Sequence, residues 1–187
     1  MTDYLIKNLS NEDFAAVIEL GNKVHGDGYL DETSISKILD QSTVGSLNAS
    51  YVMYHDKTLV GFRLSYAPNK WPLDKWCTSE EWPVDKEHVA YFKCNTIHPD
   101  YQGKGLGGQL LQTSITTLKE MGAKAGLSHI WMQSPGNASF KYFTKAGGQL
   151  IKTHARRWND DPTIPDYVCI LCGNDCHCDA SEMMLVF

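Results

Sequence analysis

The residues with the clearest chemical potential are Gln102-Gly103-Lys104-Gly105-Leu106-Gly107. Alternate glycines free a loop from Cβ atoms and from the usual bar on positive φ. Directly after them, Leu110, Leu111, Ile115, Leu118 and Met121 share one helical face. A helix that starts here turns its unpaired N–H groups and positive dipole end toward the loop, which makes a site for phosphate. The spacing excludes two better-known loops. A dinucleotide fold uses G-x-G-x-x-G with an acidic residue about 20 positions on, and here Leu127-Ser-His-Ile-Trp-Met-Gln133 follows instead. A P-loop places Ser or Thr after its lysine, and Lys104 is followed by Gly105.

The second chemical stretch is Cys169-Ile-Leu-Cys172-Gly-Asn-Asp-Cys176-His-Cys178. C-x-x-C followed by glycine is the turn of a zinc knuckle, in which backbone N–H groups face two thiolates. Cys176 and Cys178 lie within reach, so four thiolates can close a tetrahedral site with no open position for water. That pattern is structural, not catalytic. His177 can stand in for one cysteine. A redox-active C-x-x-C or free thiols are the alternatives, although a redox pair normally opens a helix and Cys169 ends an expected strand.

The elements that position these groups follow from periodicity and punctuation. Val89–Ile97 is rich in β-branched and aromatic residues and reads as a strand, closed by Pro99. Upstream, Tyr4–Ile6 is a first strand. Ser10-Asn-Glu-Asp13 caps a helix that stops at Gly21, and Thr33–Leu39 is a second helix. Ser50–Tyr54 and Thr58–Tyr66 form a hairpin around His55-Asp56-Lys57. Residues 68–87 are a Trp-rich insertion with Trp71, Trp76 and Trp82, too long for an ordinary hairpin connection. It reads either as a substrate-facing lid or as a satellite cluster that buries its tryptophans. Downstream come a strand over Leu127–Gln133, a turn and a short helix ended by glycine over Ser134–Gly148, and a strand over Gly148–Trp158. Asn159–Pro165 is a polar turn, Asp166–Leu171 a return strand, and Met183–Phe187 a short last strand.

The run Ile97-His-Pro-Asp-Tyr-Gln102-Gly-Lys-Gly-Leu-Gly107 fits Gln/Arg-x-x-Gly-x-Gly/Ala and resembles the signature of the GNAT superfamily of N-acetyltransferases. The element order resembles that family over roughly residues 1–158. The resemblance implies an α/β (α+β) GNAT fold. Its mixed sheet of about six or seven strands is splayed between strands four and five and flanked by helices. Residues 1–187 would be a single domain, with 166–187 a Cys-rich, zinc-knuckle-like extension that the family pattern lacks. It also implies acetyl-coenzyme A as cosubstrate. The amides of Gly103, Lys104, Gly105, Leu106 and Gly107 would hold the pyrophosphate, with Gln102 opening the loop. The backbone of Asn95, Thr96 and Ile97, where the family's strand bulges, would polarise the thioester carbonyl.

The family's second motif has an Asn opening a helix, a Tyr near its middle and Gly-Phe at its end. Asn137 matches the first. Aligning Gly147 puts Phe143 on the Tyr position, leaves Tyr142 one place early and puts Gly148 in place of Phe. Tyr142 is the candidate acid for the leaving thiolate. Glu87 and His88, heading the strand, are the candidate bases for the amine. Cys94 reads as a buried strand cysteine, because direct transfer in a ternary complex needs no protein nucleophile. The function implied is acetyl transfer to a primary amine of a small molecule or peptide. The alternative is a coenzyme A-binding sensor or adaptor, which the missing Tyr favours.

Composition supports these limits. A net charge of −5 and the lack of a basic run argue against a nucleic-acid partner. No apolar stretch approaches the ~20 residues needed to span a bilayer, and the N-terminus lacks a signal peptide's pattern. The cytoplasm is therefore the expected compartment, with its six cysteines mostly reduced. A homodimer is compatible with the sequence.

Overall fold

The computed structural model describes residues 4–162, 164 and 166–187. It divides into two compact units. The first comprises the chain up to Trp71, Glu87–Lys124 and Phe187; the second comprises Pro72–Lys86 and Ala125–Val186.

The first unit contains, in order, β1 (Tyr4–Asn8), α1 (Phe14–His25), α2 (Glu32–Gln41), β2 (Thr43–Val44), β3 (Leu47–Asn48), β4 (Tyr51–His55), β5 (Thr58–Tyr66), β6 (Val89–Ile97) and α3 (Leu106–Glu120). Strands β1, β4, β5 and β6 pair in that order, each antiparallel to its neighbour. The expected hairpin is present, with Asp56 at φ 53 in its turn. The β2–β3 hairpin was not visible in the sequence, being two residues per strand. Helices α1 and α2 cover one sheet face, where Val17, Leu20, Ile35 and Ile38 meet Val52, Phe62 and Leu64. Helix α3 covers the other, with Leu106 and Leu110 against Met53 and Val60. Each such large aliphatic side chain contributes ~1.5–3 kcal/mol on burial.

Helix α1 does not stop at Gly21. It runs four residues further and ends at Gly26, φ +106. Gly21 is there for close approach: a Cβ on it would lie 2.8 Å from Leu30 Cδ1. The start of this helix is fixed by Asp13, which is 1% exposed. Its Oδ2 accepts from the Ser10 N–H and hydroxyl at 3.0 and 2.8 Å. Its Oδ1 accepts from Tyr54 at 2.9 Å and pairs with Lys7 at 2.8 Å.

The second unit contains β7 (Ala125–Trp131), α4 (Ala138–Lys145), β8 (Gln149–Ala155) and β9 (Asp179–Val186). Strand β9 lies between β7 and β8 and is antiparallel to both. The return strand is therefore not Asp166–Leu171. Those residues form turns and one isolated bridge, Cys169 to Gly173. The thiolate module displaces the strand to Asp179, so the cysteines sit inside the β8–β9 connection. Part of the expected turn over Asn159–Pro165 lies outside the described residues. With four main strands in the first unit and three in the second, flanked by helices, the fold is the expected α/β class.

Candidate functional site

Strand β6 ends at Ile97, and the chain makes a 3-10 turn at Pro99–Tyr101 before the glycine loop. The His98 ring caps that turn by accepting from the Asp100 N–H at 3.3 Å. Gln102 Nε2 donates back to the Ile97 carbonyl at 3.2 Å, closing the loop on the strand it leaves. Gly103 and Gly105 have φ +76 and +77, and a Cβ on either would meet nothing within 4 Å. These glycines are required by backbone conformation, not by crowding. Gly105 is the N-cap of α3, so the helix begins at Leu106, inside the glycine run and not after it. The first N–H groups of α3 therefore open onto the loop, as a phosphate site requires.

The ladder between β5 and β6 is irregular at one place. Leu64 faces Cys94 and Ser65 faces Phe92, so Lys93 is an extra residue. Asn95, Thr96 and Ile97 are in regular register with Arg63, Phe62 and Gly61. The bulge expected at Asn95–Ile97 thus falls earlier, at Lys93. Around it, on the α1–α2 face, lies a group that the sequence could not assemble. Cys94 Sγ is 3.6 Å from His25 Nε2 and 3.1 Å from Thr96 Oγ1. His25 Nε2 is 2.8 Å from Thr96 Oγ1, and the His25 and Tyr29 rings are 4.3 Å apart. Burial pushes the Cys94 thiol up, but the hydrogen bond and charge of His25, with Thr96 and Tyr29, outweigh it and bring its pKa down to about 7. Beyond this group, Tyr66 stacks on Tyr91 at 5.9 Å, and Trp71 packs on Tyr91 at 4.9 Å. Trp71 Nε1 donates to the Val89 carbonyl at 3.0 Å.

Glu87 and His88 occupy a 3-10 turn just before β6. Glu87 is exposed, and His88 Nδ1 is buried without a hydrogen-bond partner among the described residues. The nine residues of β6 separate this turn from the loop, a run of about 27 Å at the usual rise. Cys94, by contrast, is within about 10 Å of the strand's loop end.

In the second unit, Asn137 is the N-cap of α4 with φ 51. Tyr142 is half-buried and Phe143 is 2% exposed. A Cβ on Gly148 would come within 2.3 Å of the Phe143 ring, so the missing bulky residue at 148 is explained by Phe143 filling that space.

The four cysteines converge. The Sγ atoms of Cys169, Cys172, Cys176 and Cys178 all lie within 4.8 Å of one another. Two of the separations are 3.8 Å (Cys169–Cys178) and 3.7 Å (Cys172–Cys178). A tetrahedron with Zn–S bonds near 2.3 Å has edges of about 3.8 Å, so the donor set fits zinc in kind and in size. Gly173, φ +72, makes the knuckle, and the Leu171 N–H points at Cys169 Sγ at 3.4 Å. Trp131, Trp158 and Tyr167 pack around the thiols. His177 is turned away, bonded to Arg156 and Asp175.

The part of the Trp-rich insertion from Pro72 to Lys86 is tied down within the second unit. Glu182 is fully buried, and its Oε1 accepts from the Thr78 N–H at 2.9 Å and Trp82 Nε1 at 2.8 Å. Its Oε2 meets His154 Nε2 at 2.9 Å. Burial opposes ionisation here, but these donors outweigh it and hold the carboxyl below its usual range. His129 Nε2 bonds the Trp76 carbonyl at 2.7 Å, and burial, with Arg157 nearby, brings its pKa down to about 4. His129, His154 and Glu182 have metal-ligand spacing, but their facing atoms are already engaged with one another and with the insertion. Trp82 is buried, so the satellite-cluster alternative describes this part of the segment.

The model of the acetyltransferase (GNAT) family matches residues 12–147. The chain belongs to the GNAT family of acetyltransferases. Among solved structures, it is similar to the ribosomal-protein-S18-alanine N-acetyltransferase from Escherichia coli (16% identity, 98% of this chain and 94% of that one, TM-score 0.67). It is also similar to yncA from Salmonella typhimurium, solved with its cofactor acetyl-CoA (17%, 98% and 94%, 0.68). A GNAT acetyltransferase from Streptococcus pneumoniae gives 16%, 99% and 100%, and 0.69. At such identities the likeness is one of fold. No curated protein matches the chain. No helix among the described residues is long and apolar enough to cross a membrane.

Proposed function

We propose that this GNAT protein is an acetyl-coenzyme A-dependent N-acetyltransferase acting on a primary amine of a small molecule or peptide. The observation that carries the reading is the pair of left-handed glycines, Gly103 and Gly105, that turns the end of β6 into the N-terminus of α3. In this reading the amides from Gly103 to Gly107 hold the pyrophosphate, and Gln102 pins the loop to Ile97. The backbone from Lys93 through Asn95, Thr96 and Ile97 lines the thioester, and Asn137 contributes from α4. The bulge supports a carbonyl-polarising role, because an extra residue leaves backbone groups outside the ladder. Direct transfer in a ternary complex is the route that the family resemblance implies. A neutral amine attacks the thioester carbonyl, Glu87 or His88 receives its proton, and Tyr142 protonates the departing thiolate. A peptide amine is supported by the Escherichia coli neighbour, named for a protein substrate. The test is acetylation of a panel of small amines and free-N-terminal peptides. Acetyl-coenzyme A binding with transfer to none of them would refute the enzyme reading and favour the coenzyme A sensor, which Phe143 at the usual Tyr position supports.

On the same reading, Cys169, Cys172, Cys176 and Cys178 hold a structural zinc that clamps the β8–β9 connection. Residues 1–187 then act as one acetyltransferase domain, in the cytoplasm where thiolates stay reduced. A bound zinc supplies cross-linking only, since four sulfurs leave no coordination position for substrate.

A further inference from the structure

We propose that Cys94 is a nucleophile that accepts the acetyl group, with His25 as its base and the Thr96 hydroxyl bridging the two. The proposal rests on the acetyl-coenzyme A reading above and differs from it in the route: the acetyl group passes through the protein before reaching the amine.

The geometry is that of an activated nucleophile: thiol and base within hydrogen-bond reach, both directly and through a shared hydroxyl. Cys94 Sγ, His25 Nε2 and Thr96 Oγ1 form a closed triangle with sides of 3.6, 2.8 and 3.1 Å. Thr96 is 1% exposed and fixed on β6, and its hydroxyl, 3.1 Å from Cys94 Sγ and 2.8 Å from His25 Nε2, links thiol and imidazole. The Tyr29 ring packs on that imidazole at 4.3 Å. Cys94 is partly accessible, and His25 is exposed at the end of α1, so a thioester can approach and a proton can leave. Cys77 gives an internal contrast: its thiol bonds the Asp74 carboxylate at 3.5 Å, and burial pushes its pKa up to about 12. The position on the chain also fits. Cys94 directly follows the bulge residue Lys93 and lies on the strand that feeds the phosphate loop.

The step balances without an added reactant. His25 takes the Cys94 proton, and the sulfur attacks the carbonyl carbon of acetyl-coenzyme A. The bond from that carbon to the coenzyme sulfur breaks, and the departing thiolate takes the proton from His25. This leaves S-acetyl-Cys94 and free coenzyme A. An amine then attacks the new thioester, the Cys94 sulfur leaves, and the amine's proton returns to it by way of His25.

The experiment uses the full chain and acetyl-coenzyme A alone. After brief incubation and acid quench, intact-mass and peptide analysis should find a single acetyl group on Cys94 and none on Cys77. Cys94→Ala should show none at this position, and His25→Ala should acetylate Cys94 about 10²-fold more slowly, the usual size of a lost general base. Thermal melts of both variants establish that they fold, and Cys94→Ser gives a second, nearly isosteric control. Wild-type protein that binds acetyl-coenzyme A and acetylates an amine, yet carries no acetyl at Cys94 and loses nothing in Cys94→Ala, would overturn the proposal and leave direct transfer standing. Wild-type protein that does not bind acetyl-coenzyme A would overturn both.

Discussion

Replacing Gly105 by Glu, with Gly105→Gln as its partner, isolates the electrostatics of the loop. The space around Gly105 is open, so neither side chain is driven into a neighbour. Both replacements face the same backbone difficulty at φ +77, worth about 1–2 kcal/mol for any residue with a Cβ. Their difference is therefore the charge. A carboxylate about 5 Å from one charge of a bound pyrophosphate, at an effective dielectric near 20, is repelled by about 3 kcal/mol. Gly105→Glu should thus bind acetyl-coenzyme A about 10²-fold more weakly than Gly105→Gln. Calorimetric titration at low and high salt measures this, and the gap should narrow as salt rises. Equal affinities for Glu and Gln at low salt would refute the placement of an anion at this helix end.

Removing metal is expected to affect the second unit first. Protein purified without chelator should contain about one zinc per chain, and its removal, or Cys176→Ser, should lower the melting temperature; elemental analysis and calorimetry check this, and metal-free protein of unchanged stability would contradict it. Glu182→Ala leaves the Thr78 amide, Trp82 indole and His154 without their shared acceptor, a loss of about 3 kcal/mol for a broken buried network, read by urea unfolding and by an early change in tryptophan emission. Asp13 is held below the usual carboxylate range: burial opposes this, but Lys7, Ser10 and Tyr54 outweigh it. Its contribution is thus complete above the unfolded pKa near 4 and is lost as pH falls through the lower folded value. Asp13→Asn should flatten the acid limb of the melting-temperature curve relative to wild type, and two superimposable limbs would remove Asp13 from the account.

What could be read from the sequence was local. Strand β6 from Val89 to Ile97, the break at Pro99, the glycine loop and α3 are each signalled by residues within a few positions of their effect. So were the four cysteines, nine positions apart from first to last. The misreadings came from contacts distant in the chain. Gly21 looked like a helix stop because Leu30, which needs the room, is not adjacent on the chain. The return strand was placed at Asp166–Leu171 because Val168, Ile170 and Leu171 are apolar, yet all three are exposed. His25 and Cys94 are 69 residues apart, and no spacing rule joins them. Glu182 falls just outside the expected last strand, Met183–Phe187, and only the tertiary structure shows that it is a buried anchor.

The place of β9 has a consequence for how the chain is made. It is the middle strand of the second unit's sheet, yet it follows both of its neighbours in the chain. Until Asp179–Val186 pairs, β7 and β8 each expose the edge that β9 must cover, the condition under which intermediates aggregate. Early zinc capture by the module would hold the start of β9 beside the end of β8 during that interval. Refolding from denaturant without zinc should therefore cost yield.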